Sequence, residues 1–180
     1  MVEVLVTVLP NVEVVPIGNG NYAIRTDLAR VISYMDFWSE LVEEVQLTAT
    51  ATDKAITGGN VVVALPAGVT ITRVIALMKF RAIENIHATL ANEIEATAQD
   101  IEVKESVGGT FTDAIDITQG TYKIAAATRE GGDVLIGDID VKAEVDGDGT
   151  YAFQWKSAEA TQISLNFNDV QMGLRVYFRS

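Results

Sequence analysis

The chain has 180 residues, 48% of them hydrophobic, and carries 25 acidic against 13 basic side chains for a net charge of −12. That balance excludes a general nucleic-acid binder and a protein that docks on anionic lipid, because both need a basic footprint. The absence of cysteine removes disulfides, thiol nucleophiles and zinc thiolate sites, and the length suits one domain with a short extension, burying about 70% of the unfolded chain's surface.

Met1-Val2-Glu3-Val4 lacks a basic n-region, and no stretch reaches the roughly 18 apolar residues of a membrane helix, so the expectation is an intracellularly made chain without a membrane span. Val2, Val4, Val6 and Val8 alternate with Glu3, Leu5 and Thr7, which reads as a short strand. Pro10, Pro16 and the cluster Gly18-Asn19-Gly20-Asn21 punctuate the next stretch, and Asp27 is placed to cap a turn or two of helix through Ile32. Residues 1–37 cannot close a core alone. They read as an extended arm lying on a neighbouring subunit, or as an edge addition to the main domain, with Phe37 and Trp38 as its anchor.

From Trp38 the period is two. Val45, Leu47, Ala49 and Ala51 alternate with Glu44, Gln46, Thr48 and Thr50, and Val61, Val63 and Leu65 end at Pro66-Ala67-Gly68. A long run extends from Val69 to Ile83, with Val74, Ala76, Met78, Phe80 and Ala82 facing one way and Lys79 and Arg81 the other. Glu84–Gln99 is ambiguous between a short helix and a strand followed by a loop. Ile101 and Val103 alternate with Glu102 and Lys104 before Gly108-Gly109, and Phe111–Ile117 and Thr121–Ala126 form two further runs. Val141, Ala143 and Val145 oppose Asp140, Lys142 and Glu144. Asp146-Gly147-Asp148-Gly149 then signals a hairpin, answered by Tyr151, Phe153 and Trp155. Val170, Met172, Leu174, Val176 and Phe178 close the chain. About nine short strands with regular turn signals predict an all-β antiparallel β-sandwich or jelly roll over residues 38–180, behind the N-terminal arm.

Chemistry-bearing patterns are sparse. His87 is the only histidine, and Ser106, Ser157 and Ser164 have no nucleophile-elbow context, so no triad is legible. Glu102, Asp140 and Glu144 occupy the polar phase of strands, as on a solvated face rather than in an acid/base pair. Asp146 and Asp148, with Asp138 and Asp140 nearby, resemble a fragment of a calcium loop but lack the third spaced oxygen and the closing glutamate; a plain Asp-Gly turn explains the same letters. Thr128–Asp133 reads as a polar loop turning at Gly131-Gly132, not a phosphate cradle, since no Gly-Lys-Ser/Thr follows; Arg129 and Glu130 suit an ion pair or an inter-subunit contact. Tyr151, Phe153 and Trp155 share one strand face, either as a core row or as a sugar-stacking platform. No enzyme and no cofactor are expected.

The segments Leu65–Ala76, Thr128–Val134 and Asn166–Val176 resemble virion proteins of tailed bacteriophages and related environmental viruses, over roughly Trp38 to Phe178. The resemblance implies a β-sandwich or jelly-roll component of the particle, a capsid decoration (cement) protein, made in the host cytoplasm and located in the virion. It implies as partners further copies of the chain, trimers being common, together with the major capsid protein, and it brings no catalytic residues. An exposed valine strand suits strand addition to a partner. The alternatives are a carbohydrate-binding module, calcium-dependent or not, using Trp155 or Trp38, and a tail or other minor virion component.

Overall fold

In the computed structural model the described residues are 12–18, 21–26, 33–47, 53–89, 92–94, 99–116, 122–157 and 165–179, and every regular element among them is a strand. The expected strand at Val2–Val8 and the expected helical turn at Asp27–Ile32 lie outside them. The strands are β1 (Val12–Gly18), β2 (Asn21–Thr26), β3 (Ser33–Trp38), β4 (Val42–Leu47), β5 (Lys54–Ala55), β6 (Val61–Val63), β7 (Thr70–Asn85), β8 (Asn92–Ile94), β9 (Gln99–Glu105), β10 (Thr112–Asp116), β11 (Tyr122–Ile124), β12 (Arg129–Ile136), β13 (Gly149–Ser157) and β14 (Leu165–Arg179).

Two antiparallel sheets make the body. In the first, β12, β7 and β14 lie side by side, and the far edge of β14 is covered in succession by β4 and β3. In the second the order is β10-β9-β13, with β6 and β5 sharing the far edge of β13. Counting β3/β4 and β5/β6 as one bent strand each, these two sheets hold eight strands which, numbered in chain order, lie in the orders 1-8-3-6 and 2-7-4-5. That is two interlocked Greek keys, the jelly roll. β1 and β2 pair with each other.

Period-two patterning explains the layers. β13 turns Tyr151, Phe153 and Trp155 inward, each at most 2% exposed, and β14 answers with Phe167, Val170, Met172, Leu174 and Val176. Trp155 meets Phe167 with ring centroids 5.1 Å apart, and Phe80 meets Phe167 edge-on at 5.0 Å. The phase of burial is not constant along the first sheet. Val45, Phe167 and Ile83 face the core at one level, and Val42, Val170 and Phe80 face it three residues further on. β4, β14 and β7 therefore switch face together, where β14–β7 pairing lapses between Asn168/Ala82 and Gln171/Lys79 and Asp169 takes φ 53°. Such a kink lets a long sheet coil over its partner.

The bent edge strand breaks at Ser39. Its N–H donates to the Met172 carbonyl (2.8 Å), its hydroxyl accepts the Met172 N–H (3.0 Å), and its carbonyl accepts from Gln171 Nε2 (2.9 Å). One residue thus carries the ladder across the gap between β3 and β4.

The chain directions sort the connections onto two ends. Residues 64–69, 106–111 and 137–148 lie at one end; the segments carrying β8 and β11 lie at the other, where these two strands pair. Buried Asn85 fastens that second end, donating from Nδ2 to the Ile124 carbonyl (2.9 Å) and accepting the His87 N–H on Oδ1 (2.9 Å).

Three expectations need correction. Thr128–Asp133 is not a turning loop: Arg129–Ile136 is edge strand β12, and a side chain at Gly132 would collide with the backbone of Phe80 and Arg81. Val141–Val145 is not a strand: the Val145 N–H reaches the Val141 carbonyl (2.9 Å), one helical turn that buries both valines. Asp146–Gly149 consequently joins no hairpin, because β13 pairs with β9, β6 and β5 instead. The ambiguous segment resolves as β7 running on to Asn85, a loop, and short β8.

Candidate interaction surface

The inner faces of both sheets are filled with apolar side chains, so functional groups have to be sought outside. The outer face of the β12-β7-β14-β3 sheet carries an ordered set of cross-strand rows. Tyr34 stands opposite Tyr177, Asp36 opposite Arg175 and Trp38 opposite Gly173; Arg73, Ile75 and Leu77 continue these rows on β7, and Ile136 extends the last onto β12. The next row is Gln171, Lys79 and Val134.

These rows are mutually braced. Arg175 forms a bidentate pair with Asp36, Nε to Oδ1 at 2.7 Å and Nη2 to Oδ2 at 2.8 Å. That hydrogen bonding holds the guanidinium protonated well beyond its ordinary range. Its Cζ lies 4.6 Å from the Tyr34 ring centroid, and the Tyr34 and Tyr177 rings are 5.7 Å apart. Lys79 Nζ stands 4.3 Å over the Trp38 indole. Arg81 pairs with Asp169. Tyr34, Val134 and Ile136 remain 53–61% exposed, whereas Leu77 beneath them is 2% exposed. A depression of about 520 Å³ is lined by Lys79, Phe80, Arg81, Gly132, Asp133, Val134 and Asp169.

The end of the sandwich formed by residues 64–69, 106–111 and 137–148 has the opposite character. Glu105, Asp138, Asp140, Glu144, Asp146 and Asp148 gather there against Arg73, Lys142 and Arg179. Several of these carboxylates build the loops. Asp148 Oδ1 accepts the Leu65 N–H (2.7 Å), Asp140 Oδ1 the N–H groups of Val74 (3.0 Å) and Lys142 (3.1 Å), and Glu144 Oε1 that of Glu105 (2.8 Å). The Tyr151 hydroxyl donates to the Gly147 carbonyl (2.9 Å); burial first, then the charges of Asp146, Glu105 and Asp148, raise its pKa. From this end projects the turn Ser106–Gly109, with Gly108 at φ 84° and Val107 82% exposed.

No protein-family model matches the chain, and no curated protein matches it in sequence. Solved structures do. A chain of infectious bursal disease virus, Gx strain, is 10% identical with a TM-score of 0.41, the match covering 92% of this chain and 40% of that one. The protein FLHE is 9% identical with a TM-score of 0.35 over 82% of this chain and 98% of its own. The capsid of Ralstonia phage GP4 is 13% identical with a TM-score of 0.28 over 87% and 88%. The assignment as a jelly roll rests on strand order, not on these likenesses.

The residues singled out in the sequence fall in several places. Trp155 is core, with no exposed surface, so it offers no sugar platform. Trp38 lies half-buried on the outer face and Phe37 packs against the core, both in β3, which pairs with β14 of the same chain. Val2, Val4, Val6 and Val8 lie outside the described residues. Asp148 is committed to Leu65, and among the described residues no group of three or more His, Asp or Glu side chains is placed to hold a metal ion. His87 lies at the opposite end, its Nδ1 accepting the Thr89 N–H (3.2 Å). Arg129 and Glu130 are exposed on the edge strand. Sequence reading missed Tyr34, Asp36, Arg175 and Val107; the only available signal was the outward phase of β14, at Arg175 and Tyr177.

Proposed function

We propose that this chain is a non-catalytic structural protein of a viral particle, acting as a capsid decoration protein that stabilises the lattice through protein–protein contacts. The observation that carries this reading is the division between a jelly-roll interior lined by buried apolar side chains and an outer sheet face built from Trp38, Tyr34, Tyr177 and Arg175. Tryptophan, tyrosine and arginine are the residues most enriched where protein partners bind. Viral shells are among the settings in which the jelly roll recurs, and fold alone does not fix function. The reading therefore leans on the surface.

In this proposal the chain works as an oligomer, and the segment before β3, with its alternating Val2, Val4, Val6 and Val8, reaches a neighbouring subunit or the major capsid protein by strand addition. Paired in that way, a valine strand is no longer the aggregation hazard it would be in isolation. The test is co-fractionation: particles from the producing culture are banded on a density gradient and probed with antibody to the chain. The chain should band with intact particles and resist a salt wash. Recovery only in the unassembled protein fraction would contradict the proposal.

A further inference from the structure

Two surfaces of the chain are left uncovered by its own fold. The first is the ribbon of β1 and β2, which among the described strands pair only with each other. Its register sets Val12, Val14 and Pro16 opposite Thr26, Ile24 and Tyr22, alternate positions that share one face, with Glu13 and Arg25 opposed on the reverse. A two-stranded hairpin is marginally stable at best in water and needs another layer to pack on. The second surface is the outer-face row of Trp38, Leu77 and Ile136. Tyr34, Val134 and Ile136 around that row stay more than half exposed, so the chain's own ribbon leaves them open.

We infer that the β1–β2 ribbon of one copy packs the face holding Val14 and Ile24 on the Trp38–Leu77–Ile136 row of a second copy, which returns its own ribbon in the same way. A second copy is the occupant because it needs company at both surfaces. One reciprocal exchange covers ribbon and row together, whereas an unrelated partner would have to bring a separate cover for each. The dimensions agree: strands of 7 and 6 residues make a ribbon about 20 Å long, enough to run past the roughly 13 Å from Tyr34 to Trp38 along β3. Neither the Val14–Ile24 face nor the Trp38–Leu77–Ile136 row carries a charge, so packing them together strands none. Residues 27–32 join the ribbon to β3, a tether of at most about 25 Å leading from the edge strand of the same face to a neighbour beside it. Each copy gives and receives the same pair of surfaces, so the contact is isologous and closes as a two-fold dimer. The inference rests on the reading that this chain works by assembly, and it names the segment and the face that meet.

The chain has no cysteine, so introduced thiols report the contact directly. Full-length Ile24→Cys and Ile136→Cys chains are mixed at about 0.1 mM with a thiol cross-linker spanning the roughly 10 Å between packed layers. They should link to each other, the joined peptides being read by mass spectrometry. Val62→Cys, at a site 63% exposed on β6 of the other sheet, should not link to Ile24→Cys. With Ile24→Cys and Ile136→Cys in one chain, the link should still join two chains. Sedimentation velocity of the wild-type chain from about 1 µM to about 0.1 mM should show monomer and dimer in exchange. Ile24→Asp and Ile136→Asp should each weaken the dimer by about tenfold or more, with thermal melting to check that each variant is folded. A wild-type chain that stays monomeric, a link formed within one chain, or aspartate variants that dimerise as wild type does would overturn the exchange. Banding with particles does not depend on ribbon exchange between copies, so failure of this contact is distinguishable from failure of the assembly reading.

Discussion

The indole of Trp38 occupies the space left open by Gly173 on the neighbouring strand: a methyl group at 173 would stand 2.7 Å from Cε3 and 2.8 Å from Cζ3 of that ring. Trp38 can therefore lie flat on the sheet beneath Lys79 instead of standing into solvent. Gly173→Ala should displace the indole and cost about 1–3 kcal/mol, the usual penalty for overpacking. Urea denaturation measures the cost, and tryptophan fluorescence reports the displaced ring. Unchanged stability and an unchanged spectrum would show that the ring is not held there.

Ser39 carries the ladder between β3 and β4. In Ser39→Ala the buried Met172 N–H loses the hydroxyl that accepts it at 3.0 Å. An unmet buried donor costs about 1–3 kcal/mol. Hydrogen exchange should locate the loss at Met172, with that amide exchanging faster while those of β13 keep their protection.

Trp155 and Phe167 join the two sheets through the middle of the core. Trp155→Ala should cost about 3–5 kcal/mol, because a fully buried ring leaves a cavity its neighbours only partly fill. Chemical denaturation measures it. A loss below about 1 kcal/mol would place the indole outside the core.

Alkaline pH should destabilise the fold with a definite sign. The Tyr151 hydroxyl has its pKa raised above the ordinary 10.0, chiefly by burial, and Lys156 is held protonated beyond its ordinary range by Asp113 first and then Glu102. Raised folded-state values mean that the stabilisation is complete below the unfolded-state pKa and is lost as pH climbs through the folded one. Stability should hold level up to about pH 9 and fall above about pH 10. Tyr151→Phe should flatten the first part of that fall. A wild-type stability that rises between these limits would have the wrong sign.

The layers were legible in the sequence wherever one strand face met the core and the other met water, as along Val170–Phe178 and Tyr151–Trp155. Reading failed where two physical causes write the same letters. Gly131-Gly132 looks like a turn, yet Gly132 is small because β12 passes against the β7 backbone. Val141 and Val145 satisfy a period of two and a helical turn equally well, and only the bond from the Val145 N–H to the Val141 carbonyl decides between them. The outer face was largely illegible for a different reason. Its rows join Trp38, Leu77, Ile136 and Gly173, residues far apart in the chain that are brought level by strand order, which alternation along one strand does not encode.

The most direct measurement is an electron cryomicroscopy map of the particles with which the chain bands, at a resolution that separates strands, about 4.7 Å apart. The eight-strand jelly roll should be found with neighbouring protein packed against the Trp38–Gly173–Leu77–Ile136 row. A map in which the chain is absent, or in which that row faces open solvent on every copy, would contradict the account.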